Sequence, residues 1–423
     1  MTGMNKNGYL PLSQHKPFHR LCLSSVISGW GDQLTIIGLP WLVLFLTDES
    51  WVLGLVLSLF SLPMSLFILF GGIVVDRFSE KKVLLSAKYI NFFLLLILSM
   101  LLFFDMLTLT ILSLLIFIVG VSAAFTIPAA SSFLPSIVAK VQLQTANSIG
   151  ISLRTVISWL GPLTAAFIIG TDKVTASTLS LVFILDAFSF LFSAIILHGI
   201  VIKSKVKKTV LNVRESFVQS FSFFWQHKTL RLIVIYVGIV SFFITGPIGV
   251  GLPIYIKNEL KESADSLGFL MSSQALGIFL GVVLAGKFSK VGGLSMGITL
   301  LIADCIVGIA ITFLSLNSQL YISFVLLFLI GLVTGYSQVI LITWVQQQAS
   351  PHMLGRLMSI VMFIVMGLAP LSSVISGYLL IYISTITLFS LAGVSLIITT
   401  LLVFISTQIA TIDKDEVEFT DMY

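Results

Sequence analysis

Twelve apolar runs separated by polar breaks follow one another along the chain, at 20–46, 52–74, 83–104, 107–134, 144–170, 176–200, 230–256, 265–286, 294–315, 319–345, 355–381 and 384–407. A helix needs about 20 such residues to cross about 30 Å of hydrocarbon, and each run is long enough. Pro128 and Pro135 are expected to interrupt the end of the fourth run. Only residues 201–229 form a long polar connector, and it divides the runs six and six. The pattern predicts an all-α membrane protein with twelve transmembrane helices. Its parts are an amino-terminal six-helix half over 1–200, a basic linker over 201–229, a second six-helix half over 230–407 and an acidic tail over 408–423.

The two halves share a vocabulary. Gly38-Leu39-Pro40 recurs as Gly251-Leu252-Pro253, and Glu49-Ser50 as Glu262-Ser263. Gly71, Arg77, Phe78 and Ser79 find counterparts in Gly281, Lys287, Phe288 and Ser289, and Gly161-Pro162 is echoed by Ala369-Pro370. Echoes that keep an offset of about 210 residues describe homologous halves laid end to end. Pseudo-symmetric halves in an apolar chain are how many secondary transporters are built, with the substrate site where the repeats meet.

Composition agrees with a lipid environment. The chain is 57% hydrophobic and 10% charged, where a soluble domain carries about 25% charged residues. A cleavable signal peptide is not expected, because some mixed polar sequence precedes a first apolar run too long for a signal segment. Cys22 and Cys305 fall in spans of different halves and read as small apolar residues rather than as a disulfide. The net charge of +5 does not point to nucleic acid, because of where the bases lie. With the amino terminus inside, the inner loops hold Arg77, Lys81, Lys82, Lys140, the lysines of the linker and Arg356, whereas the outer loops hold Lys173, Lys257 and Lys261 with most of the acids. Both termini are therefore expected on the cytoplasmic side, with the linker against anionic lipid headgroups.

Gly72, Asp76, Arg77, Lys81 and Lys82, in the segment read as the loop between helices 2 and 3, resemble the G-x-x-x-D-R-x-G-R-K signature of the major facilitator superfamily. The segment departs at Ser79, where the signature has Gly, and at Glu80, where it has a base. Finer features resemble the drug:proton antiporter-3 branch, which includes macrolide-efflux-like and enterobactin-exporter-like proteins. They are Gly31-Asp32-Gln33, Pro128-Ala129, Leu134-Pro135, Ala146-Asn147-Ser148, Asp186-Ala187-Phe188-Ser189-Phe190 and Gly355-Arg356. Gly161-Pro162 with Ala165-Ala166 is similar to a worn antiporter motif of helix 5. The resemblance implies alternating access in a bacterial inner membrane, by a monomer. It also implies a gate in which Asp76 meets the start of helix 11 at Gly355 and Arg356. Residues 111–125 carry no charge, so the Arg that many exporters have in helix 4 has no counterpart here.

Charges inside a bilayer cost at least about 2.5–3.5 kcal/mol, so they face a cavity or a partner. Those read as intramembrane are Asp32, Arg154, Asp186 and Asp304. At about 1.5 Å per residue, the first three lie near one depth in the same half, roughly 15–21 Å from the inner ends of their helices. Two readings stand. Arg154 is a structural partner of Asp186, or Arg154 faces the cavity while Asp32 exchanges a proton for substrate. The helix arrangement implied by the resemblance favours cavity roles for Asp32, Gln33 and Arg154 and scaffold roles for Asp186 and Asp304. Asn147, Gln274, Tyr336, Gln338, Trp344, Gln346 and the Met358, Met362, Met366 stripe are weaker leads, more often packing or interhelical hydrogen bonds.

No enzyme constellation is present. The five histidines lack metal-ligand spacing, and no Gly-Lys-Ser loop cradles a phosphate, so no metal, nucleotide or other cofactor is expected. The energy source must then be an ion gradient or the substrate's own gradient, and a midplane carboxylate suits protons. The leading expectation is proton-coupled export of an amphipathic drug or siderophore-like metabolite. Movement of a lipid or lysolipid by the same fold, and a non-transporting sensor, are the alternatives.

Overall fold

In the computed structural model, which describes residues 12–47, 49–139, 142–170, 174–200, 224–287, 295–347 and 354–406, the described residues are almost wholly helical. A short 3-10 turn at Leu12–Gln14 leads into α1 (Lys16–Leu46), α2 (Ser50–Phe78), α3 (Glu80–Phe103), α4 (Leu109–Ile137), α5 (Leu143–Ile169) and α6 (Ala176–His198). The second set is α7 (Lys228–Leu260), α8 (Ala264–Lys287), α9 (Met296–Ser315), α10 (Leu320–Gln347), α11 (Leu354–Leu379) and α12 (Thr385–Ser406). Among the described residues, 11 helices are long and apolar enough to cross a membrane, and Phe363–Leu379 of α11 is a shorter apolar stretch. The charged and hydroxylated residues at the breaks set the ends. Thr108, Thr175 and Ser295 each accept a backbone N–H at the start of a helix.

The chain forms two compact units, one of residues 1–48, 59–211 and 263–268 and the other of 49–58, 212–262 and 269–423. In the first, α1 packs on α5 and α6, and α3 on α4 and α6. In the second, α7 packs on α11 and α12, and α9 on α10 and α12. Apolar side chains gain little by leaving lipid for protein, so close backbone contact must hold such helices together. Glycines supply it between α8 and α10. A Cβ on Gly277 or Gly281 would fall 2.1 or 2.0 Å from the carbonyl oxygens of Phe328 and Leu332. A Cβ on Gly331 or Gly335 would fall 2.0 or 2.4 Å from those of Gln274 and Ile278.

Helix α7 is irregular where the repeated Gly-Leu-Pro motif lies. Its ladder widens to π geometry over Pro247–Gly251 and again over Ile256–Leu260. Ser372 of α11 enters the break: its hydroxyl donates to the Phe242 carbonyl and accepts the Gly246 N–H at 2.8 Å. One side chain thus replaces the backbone bond those two groups would otherwise share, a recognised cause of helix distortion.

Two local expectations change. Pro128 and Pro135 do not end α4, which runs through both to Ile137. Pro removes an N–H without forbidding helical φ, so the helix can continue past each proline at the loss of one backbone bond. The segment read as a loop between helices 2 and 3 is also helical on both sides, broken at Ser79 with φ 74° and ψ 145°. That backbone region is close to glycine's own and costs a side chain on the order of 1–3 kcal/mol, which accounts for the Gly that the signature carries there. Set against the roughly 0.4–1 kcal/mol that a glycine loses through the unfolded chain, Ser79→Gly should raise stability by about 1 kcal/mol. Thermal unfolding in detergent measures this, and an unchanged or lower midpoint would contradict the strain.

Candidate functional site

The site grows from one seam. On α1, Ser24, Ser28, Gly31, Thr35 and Gly38 are spaced i, i+4, i+7, i+11 and i+14, a single helical face made of small residues. That face lies against α6. The hydroxyls of Ser24 and Ser193 are 2.7 Å apart, and the Ser193 hydroxyl lies 2.6 Å from the Ser24 carbonyl. Further along, a Cβ on Gly31 would fall 2.1 Å from Ser189 Oγ and 2.2 Å from Asp186 Oδ1, and one on Gly38 would fall 2.9 Å from Val182. Asp186 sits inside this contact, 1% exposed, and its oxygens accept from Thr35 and, at 3.1 Å, from Ser189. The carboxylate therefore joins α1 to α6.

The neighbouring face of α1 is open. Ser25, Asp32 and Ile36 are exposed along it. Asp32 nonetheless lies midway along α1, far from either helix end. The next residue, Gln33, turns the other way, into α5, where a Cβ on Gly161 would come within 2.4 Å of its Cγ. Trp30 Nε1 donates to Thr164 Oγ1 at 2.8 Å on the same side. The three consecutive residues Gly31, Asp32 and Gln33 thus serve α6, the open space and α5 in turn. On α5, Asn147, Ile151 and Arg154 share one exposed face, and Arg154 acts electrostatically on Asp32.

A second cation lies behind Asp32, and reading the sequence missed it. Lys88 of α3 is 8% exposed. Its Nζ donates to Ser28 Oγ at 2.9 Å and stands 5.8 Å from the centroid of the Phe190 ring on α6. Ser28 is one turn before Asp32, and Lys88, like Arg154, acts on that carboxylate. Asp32 and Asp186 also feel one another. The described cluster therefore has two carboxylates and two cations, and one of each sign is exposed. A lysine eight residues inside an apolar helix, from 80 to 88, was the available signal; it lies near enough to the basic end of α3 to pass for part of it.

The second unit repeats the junction with other chemistry. Asp304 is likewise eight residues into α9, from 296 to 304. It accepts from Tyr236 of α7, whose hydroxyl is 3.2 Å from that of Thr400 on α12. The same three helices of each repeat meet there, around a cation in one unit and a carboxylate in the other.

Of the signature residues, Lys81 is described, and it donates to the carbonyls of His198 and Ile200 at 2.7 and 2.6 Å. Arg20 donates to Gly199. Together they cover the carbonyl end of α6, where cations are favoured. Lys82 is exposed. The side chains of Gly72, Asp76, Arg77, Gly355 and Arg356 lie outside the described residues, so the gate expected from them is not displayed. Among the described residues no group of His, Cys, Asp and Glu could hold a metal ion.

A Major Facilitator Superfamily profile matches residues 21–372. The chain belongs to that superfamily. Macrolide efflux protein A of Streptococcus pyogenes is 23% identical over 338 residues, 78% of this chain and 81% of the relative. Enterobactin exporter EntS of Escherichia coli O1:K1 / APEC is 23% identical over 361 residues, 84% of each chain. Among solved structures, nucleoside transporter NupG aligns with a TM-score of 0.74 at 13% identity, over 92% of this chain and 100% of its own. A bacterial homologue of the iron transporter ferroportin aligns at 0.68 with 16% identity, over 91% and 98%. The structural likeness establishes the fold, and the superfamily makes the chain a multi-pass membrane transporter of small molecules rather than an enzyme.

The α1–α6 seam makes a sharp demand. Gly31→Ala would press a methyl group onto Asp186 and Ser189, and overpacking of this kind costs about 1–3 kcal/mol. The unfolding midpoint of Gly31→Ala in detergent should fall, and Ser189→Gly in the same chain should recover part of the loss. Equal midpoints for wild type and Gly31→Ala would show that the helices are not in close contact.

Proposed function

We propose that this transporter exports an amphipathic small molecule, a drug or siderophore-like metabolite, in exchange for protons, from a bacterial inner membrane with both termini in the cytoplasm. The observation that carries the coupling is the position of Asp32. Its carboxylate is the one in the cluster that opens onto space, while Asp186 is sealed among the hydroxyls of Thr35 and Ser189. A group that loads and unloads a proton must meet water; one that holds two helices together must not. The export direction and the substrate class are supported by the names of two relatives, one an efflux protein for macrolides and the other an exporter of enterobactin.

Each group then has its part. Asp32 takes a proton from one side and gives it up to the other as the units alternate. Arg154, exposed on the adjoining helix, offers a planar donor fork to acceptor groups of the substrate. Gln33 and Gly161 fix the contact of α1 with α5, which sets the distance between the two exposed charges. Asp186 holds α1 on α6. The signature residues Gly72, Asp76, Arg77, Lys82, Gly355 and Arg356 bias the alternation between states, and Lys81 secures the end of α6.

Asp32→Asn tests this, because the amide keeps the shape of the side chain and does not titrate. Uptake of a macrolide and of a siderophore into inside-out proteoliposomes under an imposed pH gradient should drop to the level of protein-free liposomes for whichever probe the wild type carries. Protein yield and oligomeric profile should be unchanged. Undiminished pH-driven uptake by Asp32→Asn removes Asp32 from the mechanism.

A further inference from the structure

We infer that Lys88 is the internal counter-ion of the proton site, a positioning residue that is paired with Asp32 while the carboxylate is ionised and passes to the carbonyl oxygen of Asn91 when it is protonated. This rests on Asp32 being the coupling carboxylate.

The first observation is the seat of the ammonium. Lys88 reaches from α3 into the seam between α1 and α6, donates to Ser28 Oγ at 2.9 Å and lies over the Phe190 ring. An ammonium carries three N–H donors, so one hydroxyl and one ring face leave donor capacity unused. Ser28 precedes Asp32 by a single turn, and residues four apart lie on adjoining positions of a helix. The cation is therefore seated within a turn of Asp32, at the buried Ser28, while Asp32 itself is exposed.

The second observation is an unpartnered acceptor. Asn91, one turn along α3 from Lys88, is 6% exposed, and its Oδ1 has no hydrogen-bond partner. A buried carbonyl oxygen without a donor is costly, and Lys88, with donors to spare, is three residues before it on the same helix. The two acceptors thus lie within a turn of the groups that seat the ammonium, Asp32 after Ser28 on α1 and Asn91 after Lys88 on α3.

The charged groups around Lys88 permit the exchange. From α1 it faces Asp32. From α6 comes Asp186, already holding Thr35 and Ser189. From α5 comes Arg154, exposed beside Asp32. Helix α4 has no titratable residue, and its Ser122 donates to the Ala87 carbonyl. Within α3, Tyr89 is exposed and Glu80, Lys81 and Lys82 lie at the helix start. When Asp32 binds a proton from the open side it becomes a neutral acid, the attraction on Lys88 is lost, and the ammonium moves one turn to Asn91. The move exchanges the hydrogen bond to Ser28 for one to Asn91. Protonation at the open face is thereby converted into a side-chain movement inside the α1–α3–α6 junction.

Infrared difference spectroscopy of the full-length protein in liposomes, without substrate, reads this directly through the carboxylic-acid C=O stretch. The band lost in Asp32→Asn belongs to Asp32, and its growth is followed against pH. Removing a nearby cation should let the acid form persist to higher pH, so Lys88→Met should move the midpoint alkaline by about one pH unit or more. Lys88→Gln serves the same purpose if Lys88→Met does not fold, and Lys88→Arg, which keeps the charge, should stay with the wild type. Asn91→Leu should move the midpoint the opposite way, because the released ammonium loses its acceptor. A purely structural lysine would alter unfolding temperatures and leave these midpoints in place. An Asp32 band that titrates alike in wild type and Lys88→Met or Lys88→Gln overturns the counter-ion, and one unmoved in Asn91→Leu overturns the exchange. If Asp32→Asn removes no titrating band, it is the coupling role of Asp32 itself that fails.

Discussion

The close approach of α1 and α6 is the constraint on which the first unit depends. Five small residues, Ser24, Ser28, Gly31, Thr35 and Gly38, form one face of α1, and α6 presents Ser193, Ser189, Asp186 and Val182 to it. In lipid, apolar area gives such helices little reason to associate, so backbone proximity and buried hydrogen bonds must do so. The seam uses both. It also fixes direction around α1: with the small face on α6 and Gln33 on α5, Asp32 is left on the remaining open face. A charge that is expensive anywhere in a membrane is thus placed by the packing of its two chain neighbours.

The two repeats show what such a junction can hold. Lys88 and Asp304 occupy corresponding places, each eight residues into its helix and each reaching a hydroxyl on the first helix of its unit. Around Asp304 the partner is the hydroxyl of Tyr236, which is itself in contact with the hydroxyl of Thr400. Around Lys88 the partner is the hydroxyl of Ser28, and the exposed Asp32 lies one turn further along α1. The shared architecture is structural, and among the described residues of the two junctions it is the exposed charge beside the first that makes its unit the candidate for coupling.

Much of this was legible in the sequence, for physical reasons. Apolar runs long enough to span hydrocarbon become helices, because every backbone polar group must be satisfied internally there, and the observed helices follow the predicted runs closely. Gly31-Asp32-Gln33 stood out in the sequence as a unit, although the different neighbours of the three depend on α5 and α6 and are invisible along the chain. Prolines misled where α4 continues through Pro128 and Pro135, since a proline removes one backbone donor but leaves helical φ allowed. The Ser79 break was read as a loop because polar residues surround it, yet a single residue with φ 74° is enough to separate α2 from α3. Lys88 was overlooked because a lysine near a basic helix end normally extends to the headgroups; what turns it inward is Ser28 and Phe190, which come from other helices.

The central claim is that Asp32 carries the proton that is exchanged for substrate. Proton release on ligand binding tests it most directly, with detergent-solubilised protein in weakly buffered solution and a macrolide or siderophore added while a pH indicator is followed. The account predicts that binding of the transported probe releases protons from the wild type and that Asp32→Asn binds the same probe with no release. Binding to the wild type without release, or an equal release from Asp32→Asn, would contradict it.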